Sequence, residues 1–529
     1  MVMMRAPKPR VSQALALPAP TMGLNDFDPL ANMDAGYMIN CMNVFPDTGL
    51  CLCRPGYQLV QTTLGAPVKT IIEYRGKSGV IKSFAATDAG IYDISTPGTA
   101  TKVYDLTNGQ INYIQTANAG NVYLVGCNGV DAAFFYDGTT WAPFVAADPA
   151  DAPGKIKGLA PNLITNVYTH NARLWFVKKD STDAYYMPLD SIGGEAKVFP
   201  TGALFTRGGV LQSIMRWSSD TGKGIDDRLI FITTAGELAS YSGTDPSNAA
   251  DWTLDAVFYL SPPLGDRAVT EYGGDILIFS RKGVIPASTL LYGTAIEQMN
   301  GGVLSRTINR RLQQLTAQWQ AMPFPTEIFV HVDLQWITIN IYDEDLKKPT
   351  QLVMNLLNGA WGRFDYPVRT LRTINGITYM GTDDGRVLLI TKNGYRDGVA
   401  LDGTGGTPIE GYLMGAYTYL DQPTANKHAK LIRPVWQAEV KPSFRLRVLP
   451  DFRTDPYTAV VPPGLAIENA KWDISKWDLA NWAGLENVYR PWMSANVLGY
   501  AFAYQIRFST SSVLGLSAVE WVWEAGGLV

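Results

Sequence analysis

The feature of this sequence that most constrains its fold is a hairpin pattern that recurs along the chain. In the clearest copy, residues 228–246, two short apolar runs at 228–233 and 237–242 flank Ala235 and Gly236. Glycine readily adopts the positive φ that a tight hairpin turn needs, and the bulky residues on both sides favour strands. One hairpin alone would say little about the fold, but its repetition along the chain indicates a fold made of repeated sheets.

Related hairpins begin about 40 to 60 residues apart, the interval expected when each four-stranded sheet contributes one central hairpin. Weaker strand-like runs, such as 68–75, 102–106 and 253–259, lie between them. Such sheets close into a ring that leaves only short, protected edges. Residues 58–400 are therefore predicted to form a β-propeller with six or seven blades; a long β-sandwich or a β-solenoid is the alternative. The other copies are at residues 78–94, 121–141, 172–188, 274–287 and 376–391, with a looser copy at 328–356.

The first 57 residues are predicted to form an extended arm followed by an opening hairpin. Basic residues and an Ala-Leu-Ala-Leu run give the start a faint likeness to a signal peptide. Prolines interrupt that run and break a continuous apolar helix, which favours the arm. An arm of this kind often lies along a neighbour. The prolines are Pro7, Pro9, Pro18 and Pro20.

Residues 401–529 are predicted to form a C-terminal β-sandwich. A Gly-rich joint at 402–408 precedes long strand-like runs. Within this region Trp472, Trp477 and Trp482 are spaced five apart, which fits neither a strand nor one face of a helix. They either anchor their own loop to the domain or form an exposed row for protein contact. The strand-like runs are 409–420, 431–440, 444–449, 500–509 and 518–524.

One amphipathic helix is predicted at residues 302–320. Its apolar face either covers the last blades or wedges against a neighbouring subunit, in which case Arg310, Arg311 and Trp319 are candidate contacts. The apolar face is formed by Ile308, Leu312, Leu315 and Trp319, at helical spacing.

The charge balance and the cysteines exclude several classes of protein. Forty-four basic residues against 48 acidic ones give a net charge of −4, so no overall positive field recruits nucleic acid. Four cysteines in 529 residues do not make a disulfide framework, and three scattered histidines do not complete a zinc site. Buried thiols are expected at Cys41, Cys51, Cys53 and Cys127. No apolar run reaches the ~18 residues of a membrane span.

No motif for catalysis emerges, although propellers also carry sialidases, other glycosidases and lectins. Residues 218–222 approach the sialidase turn but lack its Trp, and Asp220, Asp226 and Asp227 do not form the acidic ladder of an EF-hand. Residues 221–224 lack the complete phosphate-loop pattern, and no Gly-x-Ser-x-Gly elbow is present. The sequence therefore predicts no catalytic residues, no cofactor and no metal.

Short phrases near the start resemble a known family. Gly23-Leu24-Asn25, Asp28-Pro29-Leu30-Ala31, Asn43-Val44-Phe45-Pro46 and Arg54-Pro55-Gly56 occur in this order. The chain resembles the tail nozzle, or packaged-DNA stabilisation, proteins of short-tailed bacteriophages (podoviruses). Further phrases of that kind are at residues 172–176, 189–194, 199–202, 236–237, 241–246 and 263–265.

The resemblance implies a structural virion protein made in the host bacterial cytoplasm. It implies a homohexameric ring docked below the portal and adaptor, which extends and closes the DNA ejection channel and seats a needle or fibres. Double-stranded DNA would pass through the lumen without specific binding, and a lumen without a basic lining would not grip it. The alternatives are a propeller-type phage tail protein that binds or cleaves glycans, and a host scaffold with a generic propeller.

Overall fold

The computed structural model describes residues 12–150, 152–220, 225–290, 302–391, 394–463 and 487–526. The chain divides into two compact units. Unit 1 comprises residues 1–58, 351–365 and 390–529, and unit 2 comprises residues 59–350 and 366–389. The sequence was expected to divide linearly, whereas these units are interleaved along the chain.

Short strands occupy the N-terminal part of the chain. Residues 12–18 are extended, as expected of the arm, and the predicted opening hairpin is present as two antiparallel strands with Val44 opposite Cys53. These strands are β1 (Ser12–Pro18), β2 (Gly23–Leu24), β3 (Tyr37–Met42), β4 (Val44–Pro46), β5 (Cys51–Cys53) and β6 (Tyr57–Gln61).

Unit 2 continues with two four-stranded antiparallel sheets, and in each the predicted hairpin forms the second and third strands. Their facing surfaces share an apolar core that includes Ile72, Phe84, Leu124 and Phe134. The first sheet consists of β7 (Thr70–Arg75), β8 (Ile81–Thr87), β9 (Gly90–Asp93) and β10 (Thr101–Tyr104), and the second of β11 (Asn112–Ala117), β12 (Val122–Cys127), β13 (Phe134–Tyr136) and β14 (Trp141–Pro143).

A third four-stranded sheet follows, accompanied by a small parallel one. The small sheet is β15 (Val145–Ala146), β16 (Lys155–Lys157) and β20 (Gly194–Glu195); the third propeller sheet is β17 (Ile164–His170), β18 (Arg173–Lys178), β19 (Asp183–Tyr186) and β21 (Lys197–Pro200). Short 3-10 turns occur at Pro161–Leu163 and Gly202–Leu204.

The fourth sheet contains the clearest copy of the hairpin, at residues 228–246, and the fifth sheet contains the copy at 274–287. The turn is as predicted: Gly236 has φ +80°, and a Cβ there would lie 2.5 Å from the carbonyl oxygen of Leu260. Trp175 of the third sheet stacks on Trp252 with ring centroids 5.6 Å apart, within the core shared with the fourth sheet. These sheets are β22 (Leu211–Asp220), β23 (Ile225–Thr233), β24 (Glu237–Ser242) and β25 (Thr253–Tyr259), then β26 (Val269–Tyr272), β27 (Asp275–Ser280) and β28 (Gly283–Pro286), with a 3-10 turn at Ala287–Leu290.

A helix is present where one was predicted, but it is much shorter than the predicted range 302–320. Only Asn309–Leu315 is α-helical, labelled α1, with 3-10 turns at Arg306–Ile308 and Trp319–Ala321. Of the predicted apolar face, Ile308 and Leu312 are buried, whereas Leu315 and Trp319 are only partly buried. The helix stops after Leu315, where the Thr316 hydroxyl bonds back to the Leu312 carbonyl, a local bond that competes with further helix.

Two more antiparallel strand groups complete unit 2. Ile374 and Val387 from the last group pack with Ile71 and Ala85 of the first sheet, which closes the ring of sheets. The strands over this region are β29 (Glu327–His331), β30 (Trp336–Asp343), β31 (Lys348–Asn355), β32 (Trp361–Phe364), β33 (Thr370–Ile374), β34 (Ile377–Gly381) and β35 (Val387–Ile390), with a 3-10 turn at Val332–Leu334.

Unit 2 is therefore a β-propeller, but the predicted number of blades is wrong. Five antiparallel sheets stand as separate blades among the described residues, instead of six or seven. The physical reason is that β29–β30 and β33–β35 repeat the hairpin pattern yet belong to a larger network of paired strands. A repeat count from sequence cannot tell a free-standing sheet from a hairpin that pairs further.

Unit 1 gathers strands that are distant in sequence. The strand β1 pairs with the last strand, with Leu15 opposite Trp521, and β3 pairs with β37 (Gly405–Gly415), with Cys41 opposite Leu413. Buried aromatic side chains such as Trp436, Phe508 and Trp521 fill its core. The strands are β36 (Arg396–Val399), β37 (Gly405–Gly415), β38 (Lys427–Ala438), β39 (Ser443–Pro450), β40 (Asn487–Tyr489), β41 (Met493–Gly499), β42 (Phe502–Thr510) and β43 (Leu514–Ala525).

All four cysteines are buried free thiols, as predicted. Burial raises the pKa of Cys53 to about 12, so this thiol is protonated and inert at neutral pH. No helix in the described ranges is long and apolar enough to cross a membrane.

Candidate functional site

The centre of the propeller encloses a polar cavity of about 340 Å³. Its wall is built from the first strand of each successive hairpin group, because these strands are innermost in the ring. Backbone and side-chain groups of seven strands therefore converge on one space. The strands are β7, β11, β17, β22, β26, β29 and β33.

Arg267, just before β26, ties distant parts of this ring together. Its guanidinium donates to the Lys69 carbonyl at 2.8 Å, to the Thr70 hydroxyl at 2.6 Å and to the Ile111 carbonyl at 3.1 Å. Glu327 lies 3.7 Å away as its ion-pair partner. Burial lowers the pKa of Arg267, which nevertheless stays charged because arginine titrates far above neutral pH. The fifth sheet is thereby bonded to the first and second.

A second polar contact joins the third and fifth sheets at the cavity. The Tyr168 hydroxyl donates a hydrogen bond to the Glu271 carboxylate. Burial, reinforced by the negative charge of Glu271, raises the pKa of Tyr168, so the phenol remains a donor at neutral pH.

Three further polar side chains of the cavity wall make no hydrogen bond within the described chain. The Arg372 guanidinium lies over the rings of Phe329 and Tyr113, 4.8 Å and 5.4 Å from their centroids, and forms no ion pair with a described residue. Asp266, an exposed residue next to Arg267, also lines the cavity and makes no hydrogen bond or ion pair among the described residues; desolvation raises the pKa of its carboxyl group, and the positive charge of Arg267 opposes that shift. The hydroxyl of buried Ser213 has no partner either.

His331 ends β29 beside this group. Its Nδ1 lies 2.8 Å from the Thr373 hydroxyl, and its ring packs edge-on against Phe329. Burial, aided by the positive charge of Arg372, lowers the pKa of His331 to about 3. The imidazole is therefore neutral at physiological pH, and His331 supports the neighbouring Phe329 without lining the cavity itself.

Unit 1 has its own buried arginine centre. Arg54 is 1 % exposed and makes a bidentate pair with Asp397 at 2.8 Å and 2.7 Å, with Asp365 at 3.1 Å. Its Nε donates to the Asn43 side chain at 2.7 Å. Gly56 leaves no room for a Cβ, which would lie 2.1 Å from the Arg396 carbonyl oxygen.

This centre contains residues from two of the phrases on which the family resemblance rests. Asn43 and Arg54 belong to two of them, and their side chains bond directly to each other. In the first two phrases, Asn25 donates to Asp28 at 2.8 Å and accepts the backbone N–H groups of Phe27 and Asp28. Asn25, Asp28, Asn43 and Arg54 are therefore framework residues of unit 1.

The predicted contact residues are not brought together at either site. Arg310 is exposed on α1, Arg311 is partly buried, and Trp319 is partly buried close to Gly265; none of them lines the cavity. Trp472, Trp477 and Trp482 lie outside the described residues. Whether any of these six residues contacts a partner stays a prediction.

Sequence reasoning missed every charged residue of the cavity. Asp266 and Arg267 are adjacent, but Arg372 lies more than 100 residues further along the chain, and no local motif connects it to them. The only available signal was that the innermost strand of each repeat must face the axis, so polar residues there deserve notice. No group of three or more His, Cys, Asp or Glu residues that could hold a metal ion occurs in the part of the chain that the structure describes.

No protein-family model and no curated protein sequence matches this chain. Several solved structures are similar to this chain, but their sequence identity to it is low. Raptor from Chaetomium thermophilum is 10 % identical with a TM-score of 0.40, over 65 % of this chain and 29 % of Raptor. This chain therefore spans less than a third of Raptor's length.

Two other solved structures are covered more fully. A putative 6-phosphogluconolactonase from Bacteroides fragilis is 14 % identical with a TM-score of 0.32, over 61 % of this chain and 86 % of that protein. The β-propeller domain of Cps50 (Swd1) from Myceliophteria thermophila is 10 % identical with a TM-score of 0.35, over 61 % of this chain and 98 % of that domain. These scores carry no argument about function.

Proposed function

We propose that this chain is a non-enzymatic structural subunit of a short bacteriophage tail, a nozzle protein that assembles into a homohexameric ring. The ring would extend and close the DNA ejection channel below the portal and adaptor, and would seat a needle or fibres. In this proposal the strands of the C-terminal region form a β-sandwich that accompanies the propeller.

The observation that carries the proposal is the place of the resembling phrases in the fold. Asn25, Asn43 and Arg54 each make a side-chain hydrogen bond within unit 1, and Gly56 stands where a Cβ would clash with the Arg396 carbonyl oxygen. Because the resemblance to nozzle proteins includes residues that hold the fold together, it supports an architecture shared with that family. Nozzle proteins act through their architecture, so a structural role follows from it more directly than a catalytic one.

The cavity inside one propeller is too small for DNA, so in the proposed assembly the DNA channel lies between copies of the chain. The cavity measures about 340 Å³, and Arg267 spans it from the fifth sheet to the first two. A DNA duplex, whose major groove alone is about 12 Å wide, does not fit there. In the proposed assembly the DNA therefore passes along the axis of the ring of subunits and not along the axis of each propeller.

Negative-stain electron microscopy of the purified chain, alone and mixed with its portal complex, tests the proposal. A six-fold ring with an axial hole that docks onto the portal is expected. Incubation with host polysaccharide is the matched assay for the alternative function. Saccharide release or tight binding by a monomer that forms no ring would contradict the proposal and favour a glycan-directed tail protein.

A further inference from the structure

Unit 1 contains an antiparallel sheet of which only one face packs on the core. In this sheet β43 lies between β1 and β38, and β40 and β41 pair with the far edge of β38. On the inner face Trp436 is buried and packs on Phe444 of β39 and Phe508 of β42. An antiparallel sheet with one solvated face usually carries polar residues on that face.

The outer face of this sheet carries exposed apolar side chains instead. Leu431 of β38, Val488 of β40 and Leu498 of β41 are all exposed. Val488 lies opposite Gln437 and Leu498 opposite His428, which alternate with the buried residues of β38. Because cross-strand partners share a face, these side chains point away from the core on the same side of the sheet. Exposed apolar side chains gathered on one face mark an interaction site.

The charged residues of the outer face are paired with one another. Arg433 of β38 pairs with Glu520 of β43, and Lys430 pairs with Glu524. The Arg433 guanidinium also lies over the ring of exposed Trp492, 4.2 Å from its centroid. Trp and Arg are the residues that most often carry the binding energy of protein interfaces. A face whose charges compensate each other does not repel an identical chain, although the chain has a net charge of −4.

The size of the outer face matches a contact between subunits. The 12 residues of β38 span about 40 Å at about 3.3 Å per residue, and four strands about 4.8 Å apart are about 19 Å wide. The face therefore offers roughly 700 Å², close to the ~800 Å² that each partner buries in a stable protein interface. A strand face of this kind is not the concave pocket that a small ligand needs.

We propose that the outer face of β1, β43, β38, β40 and β41 is where a second copy of this chain docks, with Trp492 and Leu498 buried in the contact. The inference rests on the homo-oligomer of the proposed function and deepens it by naming a surface through which the copies meet. In a ring the contact is heterologous, so the neighbouring copy contributes a different surface.

Size-exclusion chromatography with light scattering, on the full chain alone and beside its portal complex, tests the proposal. Leu498→Asp and Trp492→Ser are each expected to weaken self-association about tenfold or more. Leu357→Asp is the matched control, because Leu357 is 63 % exposed and Leu498 68 %, and Leu357 lies in the turn between β31 and β32 of the same unit. This variant should associate like the wild type.

A cysteine in place of Leu498 gives a second readout, because the four native thiols are buried. A maleimide should label Leu498→Cys about tenfold more slowly in the assembled chain than in the dilute monomer. Leu357→Cys should react at the same rate in both.

Three results would overturn the proposal. If the wild type assembles and both Leu498→Asp and Trp492→Ser assemble equally well, the copies meet elsewhere and the proposed function stands. If Leu498→Cys reacts slowly even in the monomer, the face is covered from within the chain. If the wild type stays monomeric alone and beside its portal, the proposed function fails as well. A thermal melt checks the fold of each variant, and Leu498→Ser carries the same test if Leu498→Asp does not fold.

Discussion

The two units differ in how far apart in sequence their paired strands lie. Unit 2 builds each of its five blades from strands that are close in sequence, and Ile374 and Val387 pack against the first sheet to close the ring. Unit 1 pairs strands from both ends of the chain, such as β1 with β43. Unit 2 therefore depends on local hairpins, while unit 1 depends on contacts between residues hundreds of positions apart.

The buried arginines show the same contrast. In unit 2, Arg267 bonds chiefly to backbone carbonyls and a hydroxyl, with a single carboxylate 3.7 Å away. In unit 1, Arg54 is held by two carboxylates, with the nearest oxygens 2.7 Å and 3.1 Å away. In unit 2, where the hairpins are local, Arg267 adds hydrogen bonds across the ring. In unit 1, Arg54 and its two carboxylates hold together segments that are distant in sequence.

The largest expected effect comes from removing the charged centre. Arg54→Met leaves Asp397 and Asp365 without their partner and should lower the free energy of unfolding of unit 1 by about 3–4 kcal/mol. Hydrogen exchange followed by mass spectrometry should show faster exchange in β4, β5 and β36 and unchanged exchange in the first four propeller sheets. Arg445→Met, at an exposed position of the same unit, is the control and should have little effect. Equal loss of protection in both units would erase the distinction between them.

A smaller effect is expected from the arginine of the propeller. Arg267→Met leaves the Lys69 and Ile111 carbonyls without a donor and should destabilise unit 2 by about 2–3 kcal/mol. Faster exchange should appear first in β7 and β11. Arg281→Met, at an exposed position of the same unit, is the control. If the Arg267 variant had the same melting temperature as the wild type, the hydrogen bonds from Arg267 to Lys69 and Ile111 would not contribute to the stability of the closed propeller ring.

The smallest effect is a pH dependence of the propeller. His331 has a folded-state pKa of about 3, below its usual value, so the unfolded chain binds more protons in acid and stability falls as pH drops below about 6.5. Between pH 7 and pH 5 this contributes about 1–2 kcal/mol. His331→Gln should flatten the decline in thermal stability of unit 2 over that range.

Thr373→Val is the control for the histidine variant. It removes the hydrogen-bond partner of His331 but keeps the titrating ring, so it should lower stability without flattening the pH dependence. An unchanged slope in His331→Gln would assign the acid sensitivity to other groups.

The same contrast explains what the sequence could predict. Hairpins in unit 2 are local, so the turn at Gly236 and the strand at 253–259 were predicted correctly. Unit 1 is not local: nothing near Arg54 in the sequence points to Asp365 or Asp397 as its partners. The helix was overextended because apolar spacing continues past Leu315, where the Thr316 side chain competes for the backbone. The cavity residues were missed because they converge only once the ring has closed.

An experimental structure of the assembled protein with DNA would test the nozzle proposal. We expect a closed ring of copies with DNA in the hole between them, a lumen without a continuous basic lining, and Arg267 bonded across each propeller. Because every neutralised phosphate adds salt-dependent affinity, such a lumen lets DNA slide. A continuous basic lining, or a chain that remains a monomer beside its portal, would contradict the account.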